Sequence, residues 1–401
     1  MKILHICLLG PFTDHFSYQE NNITDAQQKF GHRITVITSC RQYSDKKDGS
    51  FVPTKAGKYF LNNGVEIIRL PVSNKYNKPG LRRFLNHYDI VPVIRELDPD
   101  IVCVHGVGVM GTNADLKKSF KLLRKKNKSC VICADSHNFA ELVKKPNSYI
   151  GYFIQWWRRC TIRDIAKEYD LVFPITPACQ DYANKFYGIP NEKMVLLPLG
   201  FDEEKCSWDN RVQIRAAFRE KNGIKDDDVV IIHGGKINKR RLTTVAIDAV
   251  KRLNNQKVKL VIFGGIAPDM QQEVEEQINS NDWIIYLGSL EPEEYYKAYL
   301  ASDIAFFPGG QSSLWQEAIG CGLPLVVGSA DNISYLDVGG NMLVAERGNA
   351  EKSAEALKSI IDSKHYMKMA EIAAAKGREF FSYDCIAQMF INECVKISKQ
   401  V

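Results

Sequence analysis

No stretch of the 401 residues is apolar for long enough to cross a bilayer; the longest runs fall well short of the ~18–20 residues a span needs. The start, MKILHICLLGPF, has an apolar core of only a few residues and no small-residue cleavage site, so it reads as a first strand rather than a leader. Zinc-finger spacing, an RNP pattern and a helix-turn-helix signal are all missing, and no nucleic-acid partner is expected. No repeat of solenoid period is visible. Cys130 and Cys133 form a lone CxxC without a second pair, so neither a metal nor a redox role is expected of it. The eleven cysteines are odd in number and scattered, which points to reduced thiols and an expected cytoplasmic location. What remains is ordinary globular composition, 45% apolar and 25% charged, in a length that suits two or three domains.

Charge is uneven. Residues 1–200 carry 29 basic against 18 acidic side chains, an excess of 11, whereas the remainder carries 24 against 29. A basic half suggests that it faces something anionic, such as a phosphate-bearing acceptor or an anionic membrane surface; an uneven surface without a partner is the bland alternative. Lys75, Lys78, Arg82 and Arg83 form one basic cluster, and the aromatic helix Ile150–Arg159 has a basic end at Arg158 and Arg159. Such a helix suits either a bilayer interface or core packing.

Short apolar runs alternate with helical patterns throughout. Strands are expected at 2–9, 33–38, 64–70, 100–105, 129–134, 170–174 and 193–197, with helices at 19–30 and 116–126. The rhythm restarts with strands at 228–233, 258–264, 284–287, 304–307 and 325–327 and helices at 243–253, 292–301 and 313–320. Strands separated by helices of ten to fifteen residues mean parallel sheets built from βαβ units. The composition shifts near residues 200–215, giving an N-terminal domain 1–205, a C-terminal domain 206–378 and a final helix, 379–401, expected to pack back on the first domain. Two doubly wound domains facing across a cleft would bind a ligand at the carboxyl ends of their strands.

Two loops carry chemistry. One strand ends in His233-Gly234-Gly235 and runs into Lys236-Ile-Asn-Lys239-Arg240-Arg241. Paired glycines let backbone approach a ligand, and the cations supply charge-assisted donors for a diphosphate, although a solvated basic turn reads the same way. It is no Walker loop, because the Gly-Lys-Ser/Thr ending is missing. The other is Phe307-Pro-Gly309-Gly310-Gln311-Ser312-Ser313, followed by a helix with Glu317 one turn in. Amides and serines at a helix start suit phosphate oxygens, and Glu317 can accept two ribose hydroxyls or be a surface carboxylate. Asp98-Pro-Asp100 and Asp226-Asp-Asp228 lie where strands begin, on the wrong side for a metal-binding DxD, so no metal is expected.

Together these segments resemble the retaining glycosyltransferases of GT-B fold in family 4. Leu197-Pro-Leu199-Gly-Phe-Asp202 is similar to that family's Pro-Asn-Gly-Val-Asp turn, and Gly31-His-Arg-Ile-Thr-Val to its Gly-His-x-Val-Thr-Val strand. Asp100–Gly106 and Asp135-Ser-His137 match its two histidine-bearing strands, and Glu317-Ala-Ile-Gly-Cys-Gly-Leu-Pro324 its donor half. The resemblance implies an α/β GT-B architecture of two Rossmann-like domains. It implies metal-independent transfer from a nucleotide sugar, with UDP expected, to a hydroxyl of a glycan or lipid-linked acceptor, and no cofactor. Glu317 would bind the ribose, and Lys236 with Arg240 or Arg241 would neutralise the diphosphate. His137 would lie beneath the sugar, and Gly234, Gly235, Leu287, Gly288, Gly309, Gly310, Gln311, Ser312 and Ser313 would line the donor. Two departures stand out. The family's first donor carboxylate falls on Gly309, leaving Gln311 and Ser312 as replacements. The glycine-rich loop after the first strand is replaced by Phe16–Asn21, which makes Asp14, Tyr18 and Gln19 the acceptor candidates. A nucleotide-sugar epimerase and a catalytically silent sugar binder are the alternatives, and peripheral attachment to an anionic membrane accompanies the transferase reading.

Overall fold

The computed structural model describes residues 1–44, 50–73, 86–139, 143 and 146–399. They form two compact units, Met1–Pro198 with Ile386–Val401, and Leu199–Cys385. The divide thus falls a few residues before 205. Phe201 is the reason: it is fully buried in the second unit, and its amide bonds to the Phe381 carbonyl there. The last helix, Tyr383–Ser398, begins in the second unit and belongs to the first from Ile386 onward.

The first unit holds a seven-stranded sheet in the order Gly57–Phe60, Glu66–Leu70, Arg33–Ser39, Lys2–Cys7, Ile101–Val104, Val131–Ser136, Leu171–Pro174. Only the edge strand Gly57–Phe60 is antiparallel. The inner strands are almost wholly buried, as expected when helices cover both faces of a parallel sheet. Alternation sorts their side chains. Leu4, Ile6, Val102, Val104, Ile132 and Ala134 enter one apolar cluster with helices Ile90–Glu96, Asn113–Lys126 and Tyr149–Ala166. The other face presents His5, Cys103, Cys133 and Asp135, with Gln27 of helix Gln19–Lys29 bonded to His5 and Phe390 of the last helix stacked on it.

The second unit holds a six-stranded parallel sheet, Ile284–Tyr286, Val258–Phe263, Val229–Gly234, Ile304–Phe307, Leu325–Gly328, Met342–Ala345. Helix Leu314–Gly320 follows the fourth of these strands. Its Gly320 packs on Phe201, not on the sheet: a Cβ there would come within 2.2 Å of that ring. Gly320→Ala therefore displaces a core aromatic side chain.

Some expected elements differ. Residues 193–197 form no full strand, but they run beside Leu171–Pro174: a parallel bridge joins Met194 to Val172, and the Val195 and Leu197 amides donate to the Val172 and Pro174 carbonyls. The helix expected from 116 starts at Asn113. A hairpin of Arg41–Tyr43 with Phe51–Pro53 had no sequence signal, its strands being three residues each. The core-packing alternative for the aromatic helix is not what the described residues show. In Tyr149–Ala166 only Ile162, Ile165 and Ala166 are buried, while Tyr149, Ile150, Tyr152, Phe153 and Trp156 are exposed. Lys75, Lys78, Arg82 and Arg83 lie outside the described residues. Among the described residues no helix is long and apolar enough to cross a membrane.

Candidate active site

In the second unit, the loop after Val229–Gly234 and the loop after Ile304–Phe307 are bound to each other. The Arg241 guanidinium donates through Nη1 to the carbonyls of Gly310 and Gln311 at 3.1 and 3.3 Å, and the Gly310 amide donates to the Arg240 carbonyl at 3.1 Å. Backbone runs so close to backbone here that a Cβ on Gly309 would sit 2.5 Å from the carbonyl oxygens of Arg240 and Arg241. Only glycine fits. This explains physically why a carboxylate is missing at 309: no side chain can stand there.

That contact also separates the two arginines. Arg241 clamps the loops, and burial with Arg240 alongside pulls it down to about 10. Lys236 is exposed and Arg240 partly exposed, and among the described residues neither side chain makes a hydrogen bond or ion pair. Leu287 and Gly288 follow the edge strand Ile284–Tyr286, and the Gly288 carbonyl accepts from the Gly264 amide. The Ser312 hydroxyl accepts from the Leu314 amide, and Gln311 donates weakly to Asp331. His233 is a satisfied core group, bonded to the Phe306 carbonyl and the Thr243 hydroxyl, and burial lowers it to about 4.

Glu317 is set one turn into helix Leu314–Gly320. Burial pushes its carboxyl up to about 7, against the opposite pull of hydrogen bonds from the Tyr295 and Ser313 hydroxyls. Its Oε2 is nevertheless shut off from solvent with no protein partner, as is Gln311 Oε1 nearby in the chain. Burying an acceptor without a donor costs about 1–3 kcal/mol, so such atoms mark places where a donor from elsewhere is rewarded. Tyr295, on helix Pro292–Ala301, had not been singled out; nothing in its Glu-Glu-Tyr-Tyr context marks it as the partner of a residue 22 positions on.

In the first unit, His137 follows strand Val131–Ser136 and is joined to His105 through Asp135. The His105 Nδ1–H donates to Asp135 Oδ2 at 2.6 Å, the Gly106 amide donates to Oδ1, and His137 Nε2 lies 3.1 Å from Oδ1 as an ion-pair partner. Burial alone would raise the Asp135 carboxyl, but His137 and His105 on either side hold it well below the usual carboxylate range. Burial would lower His137, and Asp135 more than reverses this. Asp135 was legible only as part of a strand; a carboxylate at a strand end between two histidine-bearing termini is the signal that would have found it.

Among the described residues no hydrogen bond or ring contact joins the acceptor candidates Asp14, Tyr18 and Gln19 to one another. Asp14 binds the buried Arg69 at 2.8 Å and accepts from the Tyr59 hydroxyl at 2.8 Å, which ties it to the sheet edge. Tyr18 is exposed and stacks edge-on with Phe16 and Tyr43. Gln19 is buried with an unpartnered Oε1. The carboxylate that shares the electrostatic neighbourhood of His137 and His105 is Glu20, whose pKa burial raises.

Two family models meet this architecture: "Glycosyltransferase Family 4" matches residues 21–205, and "Glycosyl transferases group 1" matches residues 214–379. An uncharacterized glycosyltransferase of Methanocaldococcus jannaschii is 23% identical over 175 residues, 40% of this chain and 43% of that one. A D-inositol 3-phosphate glycosyltransferase of Xylanimonas cellulosilytica is 25% identical over 169 residues, 39% of this chain and 40% of that one. The match thus spans well under half the length of either relative. Among solved structures, Anabaena HepE in complex with UDP superposes with a TM-score of 0.66 at 15% identity, over 99% of this chain and 100% of that one. A sucrose-phosphate synthase from Thermosynechococcus elongatus gives 0.65 at 13% identity, over 100% of both chains. Two parallel-sheet units, matched by the two models over most of the sequence, place this chain among the family 4-type glycosyltransferases of GT-B fold.

Proposed function

We propose that the protein transfers a sugar, with retention, from a UDP-sugar to a hydroxyl of a glycan or lipid-linked acceptor. The observation that carries the donor half is Glu317, a carboxylate with one buried oxygen lacking a protein donor, beside two loops bound backbone to backbone. A ribose diol supplies two such donors. HepE, described in complex with UDP, has the same fold, which supports the choice of nucleotide. Lys236 and Arg240 stabilise the departing diphosphate, and Arg241 positions the loop they work beside. The acceptor hydroxyl attacks the front face of the sugar, its proton passes to the leaving phosphate oxygen, and the sugar–phosphate bond breaks. Catalysis then consists of positioning and electrostatic stabilisation, which needs no divalent cation at the diphosphate. Gln311 and Ser312 take the place of the carboxylate that Gly309 cannot carry.

The first unit is the acceptor side, with His137 and Glu20 as its polar groups. An anionic membrane surface fits its exterior. Tyr149, Tyr152, Phe153 and Trp156 are exposed on one helix, and the adjacent helix exposes Lys118, Lys121 and Lys125. The two helices are tied by the Lys117–Asp164 ion pair at 2.7 Å. The deciding experiment is a panel of UDP-, ADP- and GDP-sugars read by thermal shift and by release of the free nucleotide. Stabilisation and turnover by one UDP-sugar are expected; stabilisation without turnover at any acceptor would leave a binder, and no response to any nucleotide sugar would remove the reading.

A further inference from the structure

The face of the first sheet that carries Asp135 also carries a row of metal-competent side chains. Parallel register pairs His5 with Cys103 and Cys103 with Cys133, so the three stand side by side on neighbouring strands and on one face. His105 follows two residues after Cys103, just past its strand's end. His5 Nδ1 and His105 Nε2 are 2.9 Å apart, and with Cys103 Sγ these atoms all lie within 4.8 Å of one another. Cys394 of the last helix meets Cys133 at the end of the row.

The outer nitrogens decide what the inner ones can do. His5 Nε2–H donates to Gln27 Oε1 at 2.7 Å, and His105 Nδ1–H donates to Asp135 Oδ2 at 2.6 Å. The two inner nitrogens thus face each other and share either a proton or a metal ion. A metal ion would in addition engage the Cys103 sulfur that converges on the pair. A thiol and two imidazoles, each imidazole held at its far nitrogen by an oxygen, is the donor set and outer-sphere arrangement of a zinc ion.

We propose that His5, Cys103 and His105 bind a zinc ion inside the first unit, with a water as the fourth ligand. The site ties the sheet to the helix that carries Gln27. It belongs wholly to the first unit and does not rest on the glycosyl-transfer reading. The lone CxxC is thereby split. Cys130 packs with Ile132 and Ala134 in the cluster on the other face, and only Cys133 joins the row.

The test uses the full chain, stripped with a strong chelator and titrated first with Co2+ and then with Zn2+. About one equivalent of Co2+ should bind in a tetrahedral site, with a thiolate-to-metal band in the near ultraviolet, and Zn2+ should displace it. Cys103→Ser should remove the band and weaken Zn2+ by about a hundredfold or more, and Gln27→Leu should weaken it about tenfold. Cys206→Ser, in the other unit, should change neither. Melting curves and far-ultraviolet dichroism report whether each variant is folded. The wild-type chain is decisive even if Cys103→Ser unfolds: no thiolate band at saturating Co2+ overturns the proposal, leaving a proton between the histidines. A band that survives in folded Cys103→Ser overturns it as well.

Discussion

Asp135 in the first unit is buried and Glu317 in the second half-buried with one oxygen shut off from water, and their surroundings differ. Asp135 has two hydrogen-bond donors, His105 and the Gly106 amide, and His137 as a further ion-pair partner, all supplied by the chain, and is held ionised. Glu317 has the Tyr295 and Ser313 hydroxyls in its neighbourhood, one oxygen without any donor, and a carboxyl raised to about 7. Where the fold completes a carboxylate's coordination, the group stabilises the fold. Where the fold leaves it incomplete, the group costs stability until something binds.

The sharpest break of this comparison is Asp135→Asn. Removing one partner from a buried charge cluster costs about 3–5 kcal/mol. We expect a lower melting temperature, with the loss confined to the first unit in hydrogen exchange. Glu317→Gln under the same measurement should melt no lower than wild type near pH 8, since it removes a buried ionised group; equal losses in the two variants would erase the distinction.

Next in size is Lys236→Ala, which should lower kcat by about 100-fold, the effect of removing one preorganised donor, while KM changes little. Arg240→Ala should behave alike. Arg241→Ala should instead raise KM and loosen the 309–313 loop, because its guanidinium holds two carbonyls there.

Glu317→Gln should weaken UDP binding roughly tenfold or more, the value of a charge-assisted hydrogen bond of about 1.5–3 kcal/mol. Its pH dependence follows from the same group. Hydroxyl donors favour the ionised form, so protonation competes with the ligand. Affinity for UDP should therefore rise from pH 6 to about 7 and level off above, and calorimetry should find this slope absent in Glu317→Gln.

Smaller still is the membrane effect. Each basic residue near an anionic surface contributes about 1 kcal/mol. Changing Lys118 and Lys121 to Ala should weaken co-sedimentation with anionic vesicles, more at low salt than at high, without altering UDP affinity. Trp156→Ala should weaken it at both salt levels, and no sedimentation at low salt removes the claim. The smallest expected effect is that of added Mn2+ or Mg2+: turnover should change little, and an absolute requirement would overturn the cation-free leaving-group assignment.

Local pattern made the architecture readable. Nearly continuous apolar runs such as Val229–Gly234 and Val258–Phe263, broken by helices of regular length, can only be inner parallel strands, and the two loops that follow strands could be named from glycine and charge. The short strands Arg41–Tyr43 and Phe51–Pro53 were not readable, because three residues carry no periodicity. Nor was the fate of Asp14, whose partner Arg69 is 55 residues away.

The order of residues along the chain was enough for the fold class, the two-unit plan and the loops that carry Glu317 and Lys236, since spacing and apolar period act within a few residues; His137 became a candidate only through the family resemblance. Which arginine clamps and which is free, why Gly309 can bear no carboxylate, and that His5, Cys103 and His105 converge were settled elsewhere. Each depends on strand register and on loops meeting across the sheet, contacts between positions about 70 to 100 apart that no local pattern encodes.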